Sequence, residues 1–131
     1  MDRQALGQIA AKHGIALIVR FGSTAVEGRM HAASDVDLAV LFERMPTLDQ
    51  ELDAAVDLQA LVRDREVDIV VVNRADPLLL KQIVAVGQLE FGSAQRMDAL
   101  KRYAFKRYED HRRFLAMERE YLARKIAGRQ R

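Results

Sequence analysis

The chain has 131 residues, is 50% hydrophobic, carries a formal net charge of +2 and contains no cysteine. That length suits one domain around one core, and no apolar run approaches the roughly 18 residues a membrane span needs. With no secretory pattern in residues 1–11 and no disulfide scaffold available, a soluble cytoplasmic protein is expected.

Residues 2–13 place Leu6, Ile9 and Ala10 at helical spacing with an acid in the first turn. Gly14 follows as a C-terminal cap, and the β-branched run 15–21 predicts a strand. The next stretch, RFGSTAVEGRMHAASDVDLAVLF, reads as that strand's end, a Gly22-Ser23 turn, a loop of small residues and a second strand opening at Asp35. Side chains alternate along a strand, so Asp35, Asp37, Ala39 and Leu41 share one face while Val36, Leu38, Val40 and Phe42 share the other.

Two carboxylates held side by side repel unless a positive charge stands between them. Mg²⁺ is the usual solution, since it takes one or two carboxylates and completes its shell with substrate phosphates. A Gly-Ser turn after a strand offers close backbone approach, outward N–H groups and a hydroxyl, which suits a phosphate. Together these features point to nucleotide chemistry.

Farther on, Pro46-Thr47 predicts a turn and an N-cap, and Leu48, Leu52, Ala55, Val56, Leu58 and Leu61 trace an amphipathic helix ending near Arg63. Residues 67–73, VDIVVVN, read as a strand covered on both sides. Asp68, Val70 and Val72 fall on one of its faces, so a third carboxylate opens a third strand just as Asp35 and Asp37 open the second. Taken alone, Asp68 reads equally well as a solvent-facing residue. If the strands pair in register, all three acids converge.

Residues 77–86 predict a short helix with Pro at its first turn, Gly87 ends it, and residues 88–91 suit an edge strand. From Arg96 to about Ala127 neither Gly nor Pro intervenes, and Met97, Leu100, Ala104, Tyr108, His111, Leu115, Leu122 and Ile126 form a loose helical stripe. A helix of that length, nearly 50 Å at about 1.5 Å per residue, exceeds what the core needs, so part of it projects or folds back. Charge divides at the same place: residues 1–95 hold 9 Lys and Arg against 14 Asp and Glu, and residues 96–131 hold 12 against 5. The expected organisation is therefore a core over 1–95 and a basic helical extension over 96–131, either packed on the core or docking a partner.

Gly22-Ser23, the downstream Asp35-x-Asp37 and a third Asp on the next strand resemble the DNA polymerase beta-type nucleotidyltransferases. Within that superfamily the small size and the run SDVDLAVLF are similar to the minimal nucleotidyltransferase (MNT) antitoxins that accompany HEPN-domain toxins, and the segment RYAFKRYEDHRRFL is similar to the ends of those antitoxins. The resemblance implies an α+β (α/β-like) fold, with a small mixed sheet flanked by helices and a long C-terminal helix. It also implies two Mg²⁺ ions on Asp35 and Asp37, with Asp68 completing the second site and helping to deprotonate the acceptor. Ser23 and the Gly22 backbone would hold the β- and γ-phosphates of ATP. The implied reaction moves AMP to a tyrosine hydroxyl of the HEPN ribonuclease, silencing it. One departure is a linker of eleven residues, Thr24 to Ser34, between Ser23 and Asp35, one more than the family pattern commonly has.

Two other functions compete, a non-catalytic antitoxin that acts by binding and a nucleotidyltransferase for small molecules. Intact Ser23, Asp35, Asp37 and Asp68 disfavour the first, and a chain this short offers little wall for a small-molecule acceptor pocket. Arg20, Arg29 and His31 could meet phosphate or be solvated, Ser34 could orient Asp35 or cap the strand, and His13 and His111 lack metal-ligand spacing. Tyr103, Tyr108 and Tyr121 interleave with Lys and Arg like a stacking platform for single strands. They fall partly along the apolar stripe, where packing is the commoner role, so direct nucleic-acid binding is not expected.

Overall fold

A computed structural model describes residues 1–22 and 35–129. The elements run α1 (Arg3–His13), β1 (Ile15–Phe21), β2 (Val36–Phe42), α2 (Leu48–Leu61), β3 (Val67–Val71), a 3-10 turn (Val72–Arg74), α3 (Pro77–Val86), β4 (Gln88–Phe91) and α4 (Ala94–Arg129). The four strands form one mixed sheet in the order β3-β2-β1-β4, parallel between β2 and β3 and antiparallel elsewhere. This is the α+β architecture the motif order implied.

Local signals set most boundaries. Asp2 caps α1 by accepting from the Gln4 and Ala5 amides at 3.0 and 3.3 Å, and Gly14 ends the helix in the left-handed region at φ 65°. Thr47 and Gln50 form a reciprocal capping box at the start of α2. Asp76 caps α3 with Pro77 behind it, and the Ser93 hydroxyl accepts from Arg96 N at the start of α4.

The sheet is buried on both faces. On one, Ile18, Val36, Leu38, Val40 and Phe42 pack against Leu6 and Ala10 of α1 and Ala54 and Leu58 of α2. On the other, Leu17, Val19 and Ala39 pack against Leu80 and Ile83 of α3 and Met97, Leu100 and Ala104 of α4. Only the first turns of α4 are buried in this way. From Arg112 to the last described residue every side chain of the helix is exposed, so the far half projects.

Two expectations need correction. Of the predicted α2 stripe, Leu58 is buried and Leu61 leans on the core, but Leu48, Leu52 and Val56 turn outward at 68, 53 and 67% exposure. Beside Leu58 the helix buries Ala54, a position outside the predicted stripe whose small side chain lets the helix sit close on the sheet, while Glu51 pairs with Arg74. Second, β3 is covered on both sides only in part, with Val67 and Ile69 against one core and Val70 against the other, and it ends at Val71 rather than at Asn73. It is an edge strand with only Val71 buried, and the chain turns away at Val72. Asn73 then takes over the pairing with its side chain, accepting from Phe42 N and donating to Phe42 O, each at 2.9 Å.

His13 and Lys12 of α1 both reach Asp57 of α2, at 2.6 and 2.9 Å. The His13 hydrogen bond first, and then Lys12, hold the Asp57 carboxyl below its ordinary 3.8. A carboxyl depressed in the folded state stabilises the fold above its unfolded pKa, and that contribution disappears as pH falls through the folded value. Wild type should therefore exceed Asp57→Asn in stability at neutral pH, and the gap should close below pH 3.8. Urea unfolding across pH 2–7 checks this, and a gap independent of pH would contradict it.

Candidate active site

Asp37 pairs with Asp68 across the parallel β2-β3 ladder, residue against residue. Both point to the sheet face that packs on α3 and α4, since Ala39, two residues after Asp37, and Val70, two residues after Asp68, lie in that core. Asp35 sits exposed immediately before β2, close enough for its charge to act on Asp37. Of the expected convergence, the pairing of Asp37 with Asp68 is present, and Asp35 joins it through its charge on Asp37.

Asp37 is the half-buried member of the trio. Burial first, and then the charges of Asp68 and Asp35, push its carboxyl above the ordinary 3.8. Phe21, the last residue of β1, pairs with Asp37 on the other side, and Gly22 follows at φ 79°. A Cβ built on Gly22 would overlap the Asp37 carboxylate. Glycine is therefore required twice, for its backbone angle and for the space the carboxylate occupies.

Ser23, Arg29, His31, Ser34 and the longer linker lie outside the described residues. Arg20 does not join the acids: its guanidinium pairs with Glu90 at 3.1 Å and donates to Gln88 at 2.9 Å, tying β1 to β4. His13 is the helix-end residue expected, engaged by Asp57, and His111 is half-buried on α4.

Among the described residues no group of three or more His, Cys, Asp or Glu has ready-made metal-site geometry. Carboxylates without a counter-charge repel one another, and Mg²⁺ draws most of its shell from water and phosphate. An all-oxygen trio, with one carboxyl pushed upward by burial and then by its neighbours, is a donor set that suits a hard divalent cation. No described helix is long and apolar enough to cross a membrane.

The family model for Polymerase beta, Nucleotidyltransferase matches residues 4–96. No curated protein matches the chain. Among solved structures, a chain of a toxin-antitoxin with AMP-PNP is 23% identical, with a TM-score of 0.73 over 97% of this chain and 99% of that one. A chain of the complex of tri-AMPylated Shewanella oneidensis HEPN toxin with MNT antitoxin is 21% identical, with a TM-score of 0.66 over 95% of each. A protein described as a minimal nucleotidyltransferase is 32% identical, with a TM-score of 0.56 over 66% of this chain and 86% of that one.

Proposed function

Because the chain belongs to the Polymerase beta nucleotidyltransferase family, we propose that it is an MNT-type antitoxin that transfers AMP from ATP to a tyrosine hydroxyl of a cognate HEPN ribonuclease toxin. The observation that carries this reading is the pairing of Asp37 with Asp68 beside Gly22 and Asp35. Likeness in fold to a toxin-antitoxin with AMP-PNP and to an AMPylated HEPN toxin complex supports the choice of donor and acceptor.

Asp35 and Asp37 would hold two Mg²⁺ ions, with Asp68 as the further ligand of the second. When bound, such a pair neutralises charge on the attacking and leaving oxygens of an in-line displacement. Gly22, with Ser23 beyond it, receives the β- and γ-phosphates through backbone N–H groups and the serine hydroxyl. Asp68 takes the proton of the acceptor hydroxyl. The tyrosine oxygen bonds to the α-phosphorus, the bond to the β-phosphate bridging oxygen breaks, and pyrophosphate carries away the electron pair.

Residues 1–95 serve as the catalytic core and 96–131 as the extension that docks the toxin. Projecting α4 supports this assignment through exposed Phe114, Met117 and Tyr121 set among Arg112, Arg113, Arg119 and Arg124. Residues of that kind give an interface both apolar anchors and steering charge. A cytoplasmic setting follows from the proposed ribonuclease partner.

Mass spectrometry of the cognate HEPN protein, after incubation with this chain, ATP and Mg²⁺, tests the proposal. AMP on toxin tyrosine, with loss of ribonuclease activity, is expected. Neutralisation of an unmodified toxin would favour inhibition by binding, and AMP on a small molecule alone would move the activity to another acceptor.

A further inference from the structure

The chain between α2 and β3, residues 62–66, is Val-Arg-Asp-Arg-Glu. Four charged residues in five give it little apolar anchorage, and β3 beyond it is an edge strand with a partner on one side only. Such a segment is prone to fraying and to slippage of register. Its last residue is followed directly by Val67 and Asp68, so any shift here moves the acid that faces Asp37.

One side chain opposes that shift. Gln59, in the last turn of α2, donates from Nε2 to Val62 O at 2.8 Å and to Arg65 O at 2.7 Å, and its Oε1 accepts from Val67 N at 2.9 Å. Both amide hydrogens and the amide oxygen are engaged, all of them by backbone of this connection. Val36 N donates to Glu66 O at 2.8 Å and fastens the same point to β2. Sequence reading did not single out Gln59, because a lone glutamine near a helix end carries no local signature.

We infer that Gln59 is a positioning residue for nucleotidyl transfer: it clamps the start of β3 so that Asp68 stands opposite Asp37. This rests on the role proposed above for Asp68. A slip of one residue would turn Asp68 to the opposite face of the sheet, and smaller displacements loosen the approach of the acceptor hydroxyl, to which rate is steeply sensitive.

The test is a double-mutant cycle between Gln59→Met, which keeps length and helix propensity but loses all three bonds, and Asp68→Asn. The assays are adenylylation of the HEPN partner with ATP and Mg²⁺, thermal unfolding, and amide hydrogen exchange in β3. Gln59→Met should lower kcat about 10–100-fold, with KM for ATP changed less than about 2-fold and faster exchange at the Val67 and Asp68 amides. In the Asp68→Asn background the same substitution should change kcat less than about 2-fold while shifting Tm equally, the signature of action through one residue. An equal kcat loss in both backgrounds would reduce Gln59 to general stability, and unchanged kcat in the single variant would remove the role altogether. Wild-type activity in Asp68→Asn would instead overturn the catalytic reading of Asp68, a separate result. If Gln59→Met does not fold, Gln59→Glu carries the same cycle, since it keeps the acceptor for Val67 N while losing both donors.

Discussion

Asp37→Asn is expected to lower nucleotidyl transfer by at least about 10²–10³-fold, the scale of losing one preorganised electrostatic contact at a reacting phosphate, without lowering the stability of the protein. The two halves of this expectation have one cause. Burial and the charges of Asp68 and Asp35 raise the Asp37 carboxyl above 3.8, so the folded chain at neutral pH carries an ionised group that its own surroundings disfavour. A raised folded-state pKa costs stability above that pKa, and the cost is relieved as pH falls through it. Asparagine is neutral at every pH and nearly the same size, so the variant should melt at the wild-type temperature or above it at pH 7. The difference should shrink as pH falls toward 3.8. Thermal unfolding at several pH values, run beside the transfer assay, checks both. A clear drop in Tm would make Asp37 a structural residue and undo the proposed site.

Gly22→Ala carries the second large effect. The residue sits at φ 79°, where an L side chain costs about 1–2 kcal/mol, and the added methyl would overlap the Asp37 carboxylate. Either the backbone turns away, taking the expected phosphate contact with it, or Asp37 gives way. Activity should fall about 10²-fold, as misplacement by about 1 Å can do, with a loss of a few degrees in Tm. Assay well below the melting temperature separates the two, because unfolding of a small fraction cannot account for a hundredfold loss. Gly7→Ala is the control: it lies within α1, its Cβ would meet only the Phe91 ring at 4.0 Å, and it should stabilise by about 1 kcal/mol through helix propensity with activity unchanged. Equal activity in the Gly22 and Gly7 variants would mean that the glycine does not shape the site.

The parts of the molecule that were legible in advance are those whose cause is local. Gly14 ends α1, Thr47 starts α2, and Pro77 starts α3, because caps and restricted backbone angles act within a turn of where they are written. Alternation put Asp37 on the core face shared with Ala39, and Asp68 beside Val70 on its own strand, since a strand repeats every two residues whatever surrounds it. The outward row Leu48, Leu52 and Val56 was illegible for the opposite reason: which side of a helix is buried depends on the surface it meets, and Ala54, the smaller residue, admitted the closer approach.

By itself the sequence determined the elements, the mixed architecture, the family and the pair of strands that carry the acids. Tertiary structure alone decided that Asp68 stands directly opposite Asp37 rather than one residue above or below it, that Gly22 lies against the same carboxylate, and that Gln59 clamps the connection leading to Asp68. Pairing between strands distant in the chain is set by hydrogen bonds and packing that exist only once the sheet is assembled, and no local pattern encodes their register.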